Sequence, residues 1–157
     1  MKKQHPPSPE LSRPLRVDHV PLGGIREHIV ATPLECKALA TRFGLEDLSQ
    51  LEAVLNVDRA QSGMFSVTGY VQAHVTQSCV VTLEPVFSEI HEPVRVLFAP
   101  PHLIKSRPET GILDYYESED PEPIEQGKID LGELAAQCLC MALNPYPRKE
   151  GASFEEK

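Results

Sequence analysis

At 157 residues, with 41% hydrophobic residues and a formal net charge of −8, the chain has the size and composition of one domain able to bury its own core. No run approaches the roughly 18–20 consecutive apolar residues of a bilayer-spanning helix. Averaged over the chain, the charge disfavours phosphate-backbone binding, which calls for a basic footprint.

The charge is more informative once it is located. Residues 1–108 carry 11 acids and 11 Lys or Arg, residues 136–157 carry three of each, and the surplus lies in 109–135, with nine acids against Lys128. A neutral body therefore carries an acidic strip, which can be a solvated loop or a partner-binding segment. The start, MKKQHPPSPELSRPLR, has basic residues without a following apolar stretch, so it does not read as a secretory signal. A cytoplasmic protein with four reduced thiols is the expectation.

Residues 1–14, with four prolines, read as a disordered tail. A single domain is expected over 15–147, with a mobile acidic loop at 101–127 and a charged tail at 148–157. Apolar pieces at 15–20 and 25–31, broken by Gly23 and Gly24, suggest a strand, a turn and a second extended piece. Thr32-Pro33-Leu34-Glu35 then combines an N-cap, a proline at the first helical position and a glutamate at the third, which is a capping box. A helix over 33–43 follows, with Leu34, Ala38, Leu39, Ala40 and Phe43 as its apolar set and Gly44 as its stop.

From Leu48 the period becomes two. Leu51, Ala53, Leu55 and Val57 alternate with polar or small neighbours in a strand over 48–57, and residues 59–63 turn the chain. The next strand, 65–76, places Phe65, Val67, Gly69, Val71, Ala73 and Val75 on one face and Tyr70, Gln72 and His74 on the other. A third strand over 86–98 has Ile90, Val94, Val96 and Phe98 inward, with Pro93 marking an edge or a bulge. Residues 99–127 lose all periodicity. Asp130 then caps a helix over 131–143 whose stripe is Leu131, Leu134, Ala135, Cys138, Met141 and Ala142. The expected fold is α+β: a curled antiparallel β-meander with two covering helices.

Catalytic and metal motifs are not found. Zinc knuckles space two cysteines by two residues, and Cys79 has Thr82 at the required place. Cys138 and Cys140 project about 200° apart on their helix and cannot share one ion. The histidines at 5, 19, 28, 74, 91 and 102 form no ligand pair, and neither a phosphate-cradling glycine loop nor a nucleophile elbow occurs. Non-enzymatic function, without metal, cofactor, small-molecule substrate or membrane partner, is the expectation. A polar surface remains: Tyr70, Gln72 and His74 with Gln77, Cys79, Thr82 and Arg95. Such a face either contacts RNA by stacking and hydrogen bonding or is a wet sheet face, and the pattern does not separate the two.

Two motifs carry a resemblance. QSCVVTLEPV (77–86), followed by the acidic loop and EPIEQGKIDLGELAAQCLCMALNPYPR (122–148), resembles the YceD-like family of large ribosomal RNA subunit accumulation proteins. Cys79, Leu83 and Pro85 match its C-x-x-C-L-x-P motif, with Thr82 departing from the second cysteine. Ile129, Asp130, Leu131, Ala142, Leu143, Pro145 and Pro147 match or nearly match its helix start and A-L-P-x-x-P close. The resemblance implies a ribosome-biogenesis factor that supports synthesis, processing or stability of large-subunit rRNA, with rRNA or a precursor particle as partner. An alternative is a protein-binding module whose acidic loop engages a basic ribosomal protein through Tyr115, Tyr116, Glu117, Glu119 and Asp120.

Overall fold

The computed structural model describes residues 10–104 and 121–148. The fold is α+β. Strands β2 (Ile25–Val30), β3 (Asp47–Arg59), β4 (Phe65–Ser78), β5 (Pro85–Ala99) and β6 (Glu122–Pro123) form one sheet in that order, antiparallel except for the parallel β5–β6 pair. Strands β1 (Pro14–Arg16) and β7 (Lys128–Asp130) form a second, two-stranded antiparallel sheet. An isolated bridge between Glu125 and Lys128 closes the turn at Gln126 and Gly127. Helices α1 (Pro33–Phe43) and α2 (Leu131–Ala142) complete the domain.

The expected meander is present, and each strand is slightly longer than its periodicity shows. Alternation puts Leu51, Ala53, Leu55 and Val57 of β3 and Phe65, Val67, Val71, Ala73 and Val75 of β4 into the core. A register shift between Leu48 and Gln50 returns Leu48 to the buried side. Pro93 makes no bulge, because β4 and β5 pair in unbroken register from Phe65 opposite Phe98 to Ser78 opposite Pro85. Among the described residues it has no strand on its outer side, since β6 reaches only Phe98 and Ala99, and a missing N–H there costs no ladder bond.

Both helices are capped as their sequences require. Thr32 Oγ1 accepts from Glu35 N while Glu35 Oε1 accepts from Thr32 N, and Gly44 closes α1 at φ 69°. Their buried faces differ from the expected stripes. In α1 the buried residues are Cys36 and Leu39, and Leu34 is 79% exposed, since its place in the first turn faces away from β3. In α2, Leu139 and Ala136 are buried while Met141 is 85% exposed, so the stripe is rotated toward Leu131–Ala135–Leu139.

Two expected unstructured segments are shorter than the sequence suggests. Residues 10–14 are part of the domain: Leu11 is fully buried and Pro14 begins β1. Residues 121–127 are ordered too, with Ile124 in the core and its N–H donating to Ala99 O at 2.9 Å. The rest of the expected N-terminal tail (1–9), loop (105–120) and C-terminal tail (149–157) lies outside the described residues.

Polar contacts lock residues 10–13 to both helices. Asp130 Oδ1 accepts from Arg13 N at 2.7 Å and from Gly132 N and Glu133 N, and Oδ2 accepts from Ser12 Oγ at 2.7 Å. Arg13 binds Glu35 through both guanidinium nitrogens at 2.9 Å. Arg42 bridges Glu10 and Glu133. The Arg13 guanidinium, more than any other group, lowers Glu35 to about 2. Gly69, at φ 151°, faces the β3 backbone so closely that a Cβ would fall 1.9 Å from Val54 O.

Two outcomes follow from these contacts. A carboxylate with a depressed folded pKa stabilises above its unfolded pKa and loses that contribution as pH falls toward the folded value. Glu35 should therefore contribute to acid destabilisation between about pH 4.5 and 2, and E35Q should flatten that part of a pH-dependent thermal melt. Gly69→Ala should lower stability by about 2–4 kcal/mol through backbone strain and overpacking, read as a lower urea midpoint at unchanged m-value.

Candidate binding surface

The large sheet has two unlike faces. On β4 every buried residue is of one parity, and both helices pack on that side. The opposite parity, Ser66, Thr68, Tyr70, Gln72, His74 and Thr76, is half-buried. Register then supplies partners that spacing does not. Tyr70 lies opposite Pro93, Gln72 opposite His91, His74 opposite Glu89 and Thr68 opposite Arg95.

The Tyr70 and His91 rings stack diagonally across the strands, with centroids 4.9 Å apart and planes inclined by 20°. His74 Nε2 lies 3.4 Å from Glu89 Oε2, and farther across, His28 Nε2 lies 2.8 Å from Glu52 Oε2. That contact, assisted by the Gln50 amide, lowers the Glu52 carboxyl. Arg95 is exposed beside the stack. The face thus offers one stacked aromatic platform, amide and imidazole hydrogen-bonding groups and a guanidinium, with acids interspersed. His91 is the member that the sequence pattern does not pick out, because its relation to Tyr70 depends on the β4–β5 register.

Gln77 does not belong to this face. It shares the parity of the buried residues of β4, and its Nε2 donates to Asn144 O at 2.9 Å, pinning the segment after α2. Cys79 and Thr82 also lie apart from it, in the turn between β4 and β5. Cys79 is fully buried, and its Sγ accepts from Val81 N at 3.4 Å and Thr82 N at 3.3 Å. Leu83 N donates to Cys79 O, Cys79 N donates to Glu84 O, and Leu83 takes the left-handed conformation at φ 67°. Thr82 Oγ1 accepts from Glu84 N at 3.2 Å. The hydroxyl is thus used within the turn.

This turn meets the end of the chain's second motif. Val80 N donates to Pro147 O at 2.8 Å, so CVVTLEP and ALNPYP form one corner of the molecule. Tyr115, Tyr116, Glu117, Glu119 and Asp120 lie outside the described residues.

Among the described residues, no group of three or more His, Cys, Asp or Glu side chains is arranged to hold a metal ion, and no helix is long and apolar enough to cross a membrane. Burial pushes the Cys138 thiol pKa up, which opposes the thiolate that a soft metal needs. Protein purified without chelator should contain no stoichiometric zinc by elemental analysis. One zinc per chain would require Cys138 or Cys140 to reach Cys79.

No curated protein and no solved structure matches the chain. A family model, described as large ribosomal RNA subunit accumulation protein YceD, matches residues 67–157. The matched span begins in β4 and takes in the Cys79 turn, α2 and the Asn144–Pro147 close that meets that turn. The chain belongs to the YceD family.

Proposed function

We propose that this protein acts without catalysis, by binding ribosomal RNA or an assembly intermediate through the outer face of its large sheet, opposite the two described helices. Family membership implies a role in large-subunit rRNA accumulation, and the family is not one of known enzymes. The observation that carries the binding mode is the Tyr70–His91 stack on the sheet face opposite the one that both described helices cover. Sequence-selective RNA recognition relies on bases splayed onto aromatic rings and hydrogen-bonded at their edges. Here Gln72 and His74 supply the edge contacts and Arg95 a phosphate contact.

The same chemistry limits the electrostatic contribution. Glu52 and Glu89 share the face, so few phosphates are neutralised, and stacking must provide most of the affinity. The concentration of acids in 109–135 supports a second mode, in which the acidic segment with Tyr115, Tyr116, Glu117, Glu119 and Asp120 engages a basic ribosomal protein.

Binding of single-stranded large-subunit rRNA fragments, followed by fluorescence anisotropy, tests the sheet-face mode. Tyr70→Ala should weaken binding about 5- to 100-fold, the range of one lost base stack, while Tyr70→Phe retains most of it. Between one and two phosphate contacts predict a log–log salt slope of about −0.7 to −1.4. Unchanged affinity in the Tyr70→Ala, His91→Ala double variant would remove the sheet face from the interaction.

A further inference from the structure

We infer that Phe87 is a second stacking platform on the outer face, so that single-stranded RNA lies along β5 with one base on the Tyr70–His91 stack and another on Phe87. The inference rests on the sheet-face reading above and extends it from one base to a segment of defined reach.

Phenylalanine normally serves the core, and the others among the described residues do so: Phe65 and Phe98 are buried, and Phe43 packs against the core from α1. Phe87 is 77% exposed. The unbroken β4–β5 register sets it opposite Thr76, as it sets His91 opposite Gln72 and Arg95 opposite Thr68. Phe87, His91 and Arg95 therefore share the outer face, and all three are exposed. Four residues of strand separate Phe87 from His91, about 13 Å at the rise of a β-strand. Neighbouring bases of a stacked strand, about 3.4 Å apart, do not bridge that gap, whereas a segment of roughly four nucleotides does.

What lies around and between the two ring sites favours RNA over a protein partner. On the face, Phe87 has Pro85 and Glu89 on its own strand, Thr76 opposite, and His74 and Ser78 on the diagonals. The core of a protein interface buries a contiguous apolar patch. Here the row between the ring sites holds the His74–Glu89 pair, with Nε2 and Oε2 3.4 Å apart. Aromatic rings set apart by hydrogen-bonding groups suit unstacked bases instead. The Glu89 carboxylate offers nothing to a phosphate, so Phe87 acts by stacking alone. The family model matches residues 67–157, and Tyr70, His74, Phe87, His91 and Arg95 all lie within that span.

Fluorescence anisotropy of the full chain with a labelled, randomised RNA octanucleotide tests the second platform. Phe87→Ala should weaken binding about 5- to 100-fold, the range of one lost base stack, with the log–log salt slope and the circular dichroism of the parent. Phe87→Tyr should retain most of the affinity. In NMR spectra of the parent, the RNA should move the Phe87 ring protons upfield, as a base stacked on them does. An effect of Tyr70→Ala without one of Phe87→Ala would overturn this inference and leave the sheet-face reading standing, with Phe87 then a protein contact or a solvated ring. Weakening by Phe87→Ala without the ring shift would also overturn it. An effect of Phe87→Ala without one of Tyr70→Ala, or no binding of the octanucleotide by the parent, would overturn both.

Discussion

The Asp130 carboxylate is the contact on which the remaining arrangement depends. One oxygen caps α2 through Gly132 N and Glu133 N and also receives Arg13 N, and the other receives Ser12 Oγ. A helix N-terminus already favours a negative charge. Here the charge that satisfies it also draws a distant strand into place, since Leu131 N donates back to Arg13 O at 3.0 Å. The space admits no substituent on Gly132, whose Cβ would fall 2.9 Å from Leu11 O and Arg13 N. Helix and N-terminal segment thus meet backbone to backbone. Arg13–Glu35 and Arg42–Glu133 extend the lock to α1, but both pairs are partly solvated, and ion pairs of that kind contribute little.

This lock leaves the large sheet asymmetric. Both helices and the N-terminal segment serve the inner side, and the polar and aromatic residues of β4 stand on the outer side. The outer face presents rings and side-chain hydrogen-bonding groups whose spacing the β4–β5 register sets.

Much of this was legible in the sequence because local rules decided it. The capping box at Thr32 and Glu35 delimits α1 to the residue, and strict alternation in 65–76 defines β4. Strands β6 and β7 were not legible, since pieces of two or three residues show no period, and β1 was legible only as part of a longer apolar piece over 15–20. Gln77 was assigned to the wrong face for a related reason. Thr76, Gln77 and Ser78 are all polar, so the hydrophobic alternation loses its phase there, and the strand register together with the contact to Asn144 O shows which way Gln77 points. The Tyr70–His91 stack needed the register between strands, which hydrophobic pattern alone does not specify. In the helices, the extent of the apolar set was legible but its angular position was not, as Met141 and Leu34 show.

The pairing of Ser12 with Asp130 spans 118 residues, and it has a kinetic meaning. At translation speeds of about 5–20 residues per second, the first of these residues precedes the second by roughly 6–24 s. The β2–β5 meander is complete in sequence well before β7 is made, so it can form while β1 still has no partner. Loop closure of that length is entropically costly before it is rewarded. Docking of β1 and α2 is then expected to be a late event in folding, and the buried surface of Leu11 and Leu131 would stay exposed until it occurs.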